Sequence, residues 1–562
     1  MGEVASGAPV ATSFKHLNDD VLIQLVELLA SHSLINLSMT CRRMRSLCYP
    51  SLFSVVCIRP GLLFASTINT LPKHARSHVH TLTIKECFHR SSPSDAQRLP
   101  RIPEVVSELE CRMAANLSNI IHSFPRLLSV VLGDPYTCLG YSWEDLHDKV
   151  GLPLPVLFTI LRVSHIQHIV FTRTLYHDDD SIPSTPTPPL LLDHVNTFRY
   201  TPHKYREGPR AYRSEYVLLG LIIPPLSASV TTLHLPLENA PLHEMSLHHW
   251  PFLNELVLEG EHLALTDVTP TPYISFLAQM PNLRRLRLHT ADVHRNPHYT
   301  LLSRLEPPPA VWPVSVPPAK KPPLQALEEL TVSHPRADDQ LWGRLPPGLR
   351  ELRLCSWPHR RTLLHLYECH YSMPVRSGLA WRSPLIPSST LSHIVASCRG
   401  ACKVTVLELE YAADDGENAL LETVAATFPA LQRLTLVRND AKDEELGPAW
   451  ANVLGVAAVL RGIRALRSVR MHIGWNEEHY ISLDAFAGAP ADIQAAAAAS
   501  HEREPYVADW CLELIAVAFV RVLGPAIEFV DLSYPGTGHH WLRFRPSVTD
   551  MRMRTEELET WW

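Results

Sequence analysis

Aliphatic residues recur along this chain in one fixed spacing: an aliphatic, two variable residues, an aliphatic, one variable residue, an aliphatic. Six copies also carry a proline two positions ahead, at 125–132, 251–258, 281–288, 347–354, 429–436 and 525–532. Without the proline there are thirteen, centred on Leu82, Val130, Ile169, Phe198, Leu233, Leu256, Leu286, Leu330, Leu352, Leu407, Leu434, Val469 and Val530. Alternation at each centre predicts a short strand with one face buried. Helix-sized apolar segments precede several copies, at 119–124, 273–280, 420–428 and 508–523. Proline cannot continue a helix and biases the residue before it towards extended backbone, so it marks the switch from helix to strand.

Repeated helix–loop–strand units imply a parallel sheet with right-handed crossovers. The expected fold class is therefore α/β: an irregular solenoid over 61–545, its strands lining a concave wall and its helices the convex one. Steps between centres run from 22 residues (Leu330 to Leu352) to 61 (Val469 to Val530), so inserts are required. They are expected near 178–189, whose Ser and Thr residues suit an exposed modifiable loop, at the proline-rich 305–323, and at the alanine-rich 491–504. The 305–323 stretch reads as an extended, polyproline-like loop leaving the solenoid. Residues 1–13 read as a disordered tail, and 546–562, ending in two tryptophans, as a C-terminal tail.

Residues 14–60 follow a different period. Asn18 suits an N-cap, with Asp19 and Asp20 in the first turn where the helix dipole favours carboxylates. Val21, Leu22, Leu25, Val26, Leu28 and Leu29 form a broad stripe at helical spacing. Ser33 suits the cap of a second helix carrying Leu34, Leu37, Cys41, Met44 and Leu47, with Arg42, Arg43 and Arg45 on its other face and Pro50 at its end. The expected product is a helical hairpin too small to bury so wide an apolar surface by itself.

The order Leu17, acidic first turn, Val21-Leu22, Leu25, Leu28-Leu29, Leu34, Leu37-Ser38-Met39, Cys41-Arg42-Arg43-Met44, Leu47 and Leu52-Phe53 resembles an F-box. Asn18 stands where that motif usually has proline, Thr40 where it has valine and Met44 where it has tryptophan. With the repeats behind it, the chain is similar to fungal-type F-box proteins with a leucine-rich-repeat-like solenoid. The resemblance implies that the helices bind a Skp-type adaptor and, through it, a cullin, while the repeats capture a target protein for ubiquitination. Carried over by position, the adaptor contacts would be Leu17, Val21, Leu22, Leu25, Leu29, Leu34, Leu37, Cys41 and Met44.

The strand alternation also nominates target contacts, because residues between and just after the aliphatics point away from the helices. These are Glu255, Glu259, Arg285, Arg287, His289, Arg353, Glu408, Glu410, Arg433, Arg470 and His472. Their mixed charge fits a specific protein partner better than a single polyanion.

Composition narrows the rest. Apolar content of 46% and charged content of 19% describe a globular chain. A net charge of −6 offers no electrostatic footprint for nucleic acid. No run of 18 apolar residues predicts a membrane span, and no apolar leader follows the N-terminus. The eleven scattered cysteines form no CxxC and suit reduced thiols in the cytoplasm or nucleus. No Walker loop, GxGxxG, GxSxG, HExxH or EF-hand pattern occurs, so no enzymatic role, metal or cofactor is expected. Three clusters are weaker than their buried or solvated readings: His177 with Asp178, Asp179 and Asp180; His393 with Cys398 and Cys402; and His365, Cys369 and His370. The function expected is substrate recognition in a Skp–cullin–F-box ubiquitin ligase. The alternative is a repeat scaffold whose helices only cap the solenoid.

Overall fold

The computed structural model describes residues 17–58, 71–84, 103–133, 154–172, 190–201, 213–261, 271–293, 309–317, 323–357, 381–382, 385–440, 453–473, 508–533 and 542–544, with short pieces between 491 and 498. The expected tails at 1–13 and 546–562, the 178–189 loop, most of 491–504, and the clusters around His177 and His365 lie outside the described residues. The chain divides into two compact units, Met1–Asp178 with Thr185–His203, and Asp179–Ser184 with Lys204–Trp562.

The first unit opens with three helices, α1 (Asp19–Glu27), α2 (Ser31–Thr40) and α3 (Arg42–Leu52), in place of the expected hairpin. Asn18 caps α1 as expected, its side chain accepting the Asp20 N–H at 3.3 Å. The second apolar stripe is split because Cys41 is fully extended (φ −158°, ψ 167°) and caps α3, its Sγ accepting the Met44 N–H. Ala30, not Ser33, stands at the N-cap of α2. Pro50 does not end α3; it lies in the last turn, where its missing N–H costs a single helical bond. Val26, Leu34 and Cys48 form the core between these helices, with Leu37 and Leu52 packed against it.

The rest of the first unit is strand repeats: β1 (Val55–Ile58), β2 (Thr81–Ile84), β3 (Ser129–Leu132), β4 (His168–Phe171) and β5 (Thr197–Tyr200). They pair in parallel and in sequence order, with Leu82, Val130, Ile169 and Phe198 in one register. β1, which the spacing did not nominate, adds Val56 opposite Leu82. The helices Pro103–His122 and Leu154–Leu161 pack on each other between successive strands.

The second unit repeats the design in β6 (Thr232–Pro236), β7 (Glu255–Glu261), β8 (Arg285–Val293), β9 (Glu329–Ser333) and β10 (Glu351–Cys355). After a two-residue β11 (Trp381–Arg382) come β12 (Val406–Ala413), β13 (Arg433–Asp440), β14 (Ser468–Ile473), β15 (Phe529–Ser533) and β16 (Leu542–Phe544). From Leu233 to Val530 all nine nominated centres align in register through parallel pairs. The long step between Leu352 and Leu407 does not interrupt the sheet, since β10 pairs directly with β12. Among the described residues, only β11 on β8 and β16 on β15 run antiparallel. The helices Ser388–Ser397, Glu417–Thr427, Val453–Leu460 and Ala508–Leu523 pack in series on one another.

The packing follows the spacing. Each aliphatic three residues before a centre is buried too, for example Leu253, Leu283, Leu327, Leu349, Val404 and Leu431. Burying one such side chain stabilises by about 1.5–3 kcal/mol, and stacking repeats it at every rung.

One insert differs from expectation. Residues 309–317 are folded onto the repeats, because Val311 and Trp312 are buried and their N–H groups donate to the Asp339 carboxylate at 2.6 and 3.0 Å. The Ile274 N–H adds a bond to the Val311 carbonyl. A buried carboxylate satisfied by successive backbone donors turns a proline-rich stretch into a packed segment.

Candidate functional site

The helical head leaves apolar side chains uncovered in a regular pattern. Along α1, Leu22 and Val26 are buried, while Val21, Leu25 and Leu28 are exposed at i, i+4 and i+7. Leu29 lies at the border of the two stripes, and Ile23 is exposed on another side of the helix. On α2, Ile35 (50% exposed) and Met39 (64%) stand at i and i+4, and Leu28 is 83% exposed. Scattered single exposures need no explanation, but two stripes at helical spacing on adjacent short helices make a coherent apolar face.

The head is held rigidly. Arg43 of α3 donates to Asp19 Oδ1 and to the Leu17 carbonyl, both at 2.6 Å, so it ties the start of α1 to α3. Arg43, placed by spacing on the face opposite the apolar stripe, thus links two helices of the head. Arg45 donates to the Ser38 carbonyl at 3.3 Å. Tyr49 stacks on His74 with ring centroids 5.6 Å apart, which turns the end of α3 towards the first strand repeats. α1 and α2 thus carry the open face.

Of the nine adaptor contacts expected, Val21, Leu25, Leu29 and Cys41 are exposed and Leu17 and Leu37 half-buried. Leu22, Leu34 and Met44 are corrections: they are buried and hold the three helices together. The Cys41 thiol is pushed down by its bond from the Met44 N–H. Leu28, Ile35 and Met39 are the exposed residues that the expected set omits. Their spacing relative to Val21 and Leu25 was visible, but which of two adjacent stripes faces inward depends on where α3 packs.

The sheet face of the second unit also departs from expectation. Directly opposed side chains pair with each other: Arg285 with Glu255 at 3.2 Å, Arg353 with Glu408 at 3.7 Å and Arg470 with Asp531 at 3.2 Å. Arg353 also bonds Glu351 on its own strand, and Arg543 reaches Asp531 from β16 at 2.8 Å. Glu255, Glu410 and His472 are corrections, because each is buried. Glu255 is held at about 2, first by its hydrogen bond with His234 and then by the Arg285 charge, against the opposing effect of burial. Glu410 accepts the Ser356 N–H at 3.0 Å, and His472 Nδ1 lies 2.9 Å from Ser533 Oγ. His289 stacks on Trp357 at 4.4 Å, and Glu259 is half-buried. Arg287 and Arg433 form no ion pair among the described residues, and Arg433 is exposed. Most of the expected mosaic is therefore consumed in binding strand to strand.

Cys398 is buried, its thiol pushed up to about 12 by burial, while His393 and Cys402 are exposed, so the three do not form a cluster. Among the described residues there is no group of three or more His, Cys, Asp or Glu side chains that could hold a metal ion. No helix among them is long and apolar enough to cross a membrane.

No family model matches this chain, and no curated protein does. A solved structure described as "Crystal structure of Rad7 and Elc1 complex in yeast" is similar at 12% identity, covering 76% of this chain and 90% of that one. Its TM-score of 0.27 is too low for the likeness to carry any argument.

Proposed function

We propose that this chain is the substrate-recognition subunit of a Skp–cullin–F-box ubiquitin ligase. The observation that carries the reading is the open apolar face of α1 and α2 on a head whose own core is already complete. Six aliphatic or thioether side chains, Val21, Leu25, Leu28, Leu29, Ile35 and Met39, stand there at helical spacing. Full burial of an exposed side chain of this kind yields about 1.5–3 kcal/mol, and since on average about half of each is already covered, each adds roughly 1–1.5 kcal/mol. Association costs about 4–15 kcal/mol, so a partner covering most of the face binds stably and one covering two side chains does not. A Skp-type adaptor is the occupant that the F-box resemblance implies.

In this reading the head holds the adaptor and, through it, the cullin, and the repeats hold a target protein. The chain itself does no bond chemistry. It acts by tethering, which raises the effective concentration of the charged conjugating enzyme near target lysines. The setting is cytoplasmic or nuclear.

The test is co-purification of a Skp-type adaptor with the full chain. Val21→Asp with Leu25→Asp abolishes it and leaves the melting temperature unchanged, because both side chains are on the surface. Leu22→Asp is the contrasting variant, expected to unfold the head. Adaptor binding that survives the Val21/Leu25 double variant removes this face as the adaptor site, and failure of the wild-type chain to co-purify an adaptor makes the head an end cap and the chain a scaffold.

A further inference from the structure

The turns that lead into β10, β12, β13 and β14 stack on one another at one edge of the second unit. The Thr405 N–H donates to the Arg350 carbonyl at 2.8 Å, the Gln432 N–H to Thr405 at 2.9 Å, and the Arg467 N–H to Gln432 at 2.8 Å. Successive turns are thereby held at the strand spacing of about 4.8 Å, so Arg350 and Arg467 begin rungs about 14 Å apart. Cations recur at two positions of the repeat, though the turn before β13 carries none. Arg399 and Arg461 each lie eight residues before the central aliphatic of their repeat, Leu407 and Val469, and Arg350 and Arg467 each lie two residues before theirs.

The edge these turns form is cationic. Arg350, Arg399, Lys403, Arg461, Arg464 and Arg467 are all exposed. Five of them form no ion pair or side-chain hydrogen bond among the described residues, and Arg467 has only an exposed 3.7 Å pair with Glu528. Arg433, the exposed target contact left without an ion pair on the sheet face, starts β13 beside the same edge. Glu351, the one carboxylate within these four turns, is engaged by Arg353. Glu328 and Glu528, in the turns before β9 and β15, bound the strip on either side. A chain of net charge −6 that gathers this many unpaired cations in three of four adjacent turns has an uneven charge distribution with a direction to it.

We propose that this strip is the docking site for an acidic, Asp/Glu-rich polypeptide segment of the target. Five of its six cations are arginines, whose planar forks pair with carboxylates in two parallel hydrogen bonds. About four extended residues span the 14 Å between the outer rungs. A long nucleic acid fits poorly: it would have to lie across the flanking glutamates of an anionic protein. The inference rests on the receptor reading only in calling the occupant a target, since peptide binding is measured without any ligase component.

The experiment uses the purified full chain and a fluorescein-labelled Asp/Glu-rich peptide, read by fluorescence anisotropy. Two further probes are an Asn/Gln peptide of the same length and a single-stranded oligonucleotide of matching charge. The acidic peptide binds, the Asn/Gln peptide does not, and the oligonucleotide binds at least tenfold more weakly. Affinity falls steeply as salt is raised, as screening requires. Arg461→Glu with Arg464→Glu weakens the acidic peptide more than tenfold, and Arg461→Gln with Arg464→Gln weakens it less. Both variants keep the wild-type melting temperature, because the positions are exposed. Equal binding of the acidic and Asn/Gln peptides, no binding of either, an oligonucleotide as tight as the peptide, or an unchanged affinity in the charge-reversed variant overturns the proposal. Adaptor co-purification is scored separately, so loss of the ligase reading leaves this result standing.

Discussion

The helical head and the strand repeats draw on the same aliphatic residues and spend them differently. In the repeats, the residue at each strand centre is almost fully buried, and so is the aliphatic three residues before it. In the head, adjacent positions of one helix divide: Leu22 and Val26 are enclosed, while Val21, Leu25 and Leu28 are not. The reason is geometric. A strand in a parallel stack has a neighbour on each side and a helix layer beneath, so every inward residue is covered. A nine-residue helix touching one other helix covers a single stripe. The difference teaches that apolar density does not locate an interface; apolar residues left over after the local core is complete do.

Four measurements press on this comparison. The largest effect belongs to the second unit's buried ion pair. Glu417 accepts from Arg438 Nε at 2.7 Å and from the Tyr411 hydroxyl at 2.9 Å. Glu417→Ala leaves Arg438 buried without this partner and lowers the unfolding free energy by about 3–5 kcal/mol in urea titration. Next, Leu407→Ala empties a strand centre and costs about 2–5 kcal/mol. The matching head variant, Leu28→Ser, changes stability by less than about 0.5 kcal/mol, since that residue is open to solvent. Equal costs for Leu407 and Leu28 would erase the distinction between the two regions. Third, Asn18→Ala removes the cap of α1 and costs the head about 1 kcal/mol, read from hydrogen exchange in α1.

A separate measurement is a change of slope with pH. The folded Glu255 carboxyl titrates near 2, below its ordinary 4.5, so the unfolded chain binds more protons between those values. Its contribution to stability is complete above pH 4.5 and is lost as pH falls towards about 2. Glu255→Gln flattens that part of the stability profile, measured by urea unfolding across the acid range.

Much of the fold was legible because stacked repeats make contacts local and periodic. All four centres nominated in the first unit and all nine in the second fall into register. β1 escaped notice because Phe53 stands three residues before its centre Val56, where the other strands have an aliphatic residue. The proline-rich stretch misled because its order comes from Asp339, a residue 27 positions away from Trp312. The sheet-face charges were placed correctly on their strands, yet which of them are free depended on what lies opposite. Arg353 meets Glu408 only because a long insert brings β12 beside β10.

Spacing along the chain sufficed to establish strand centres, register and the helix-to-strand rhythm, because each arises from side chains a few residues apart repeating at a constant interval. Tertiary packing alone settled which stripe of α1 is closed, that Cys41 splits the second helix, that the sheet's charges neutralise one another, and that the arginines leading into β10, β12 and β14 share an edge. Those outcomes depend on residues distant in sequence becoming neighbours in space, and local periodicity carries no information about such neighbours.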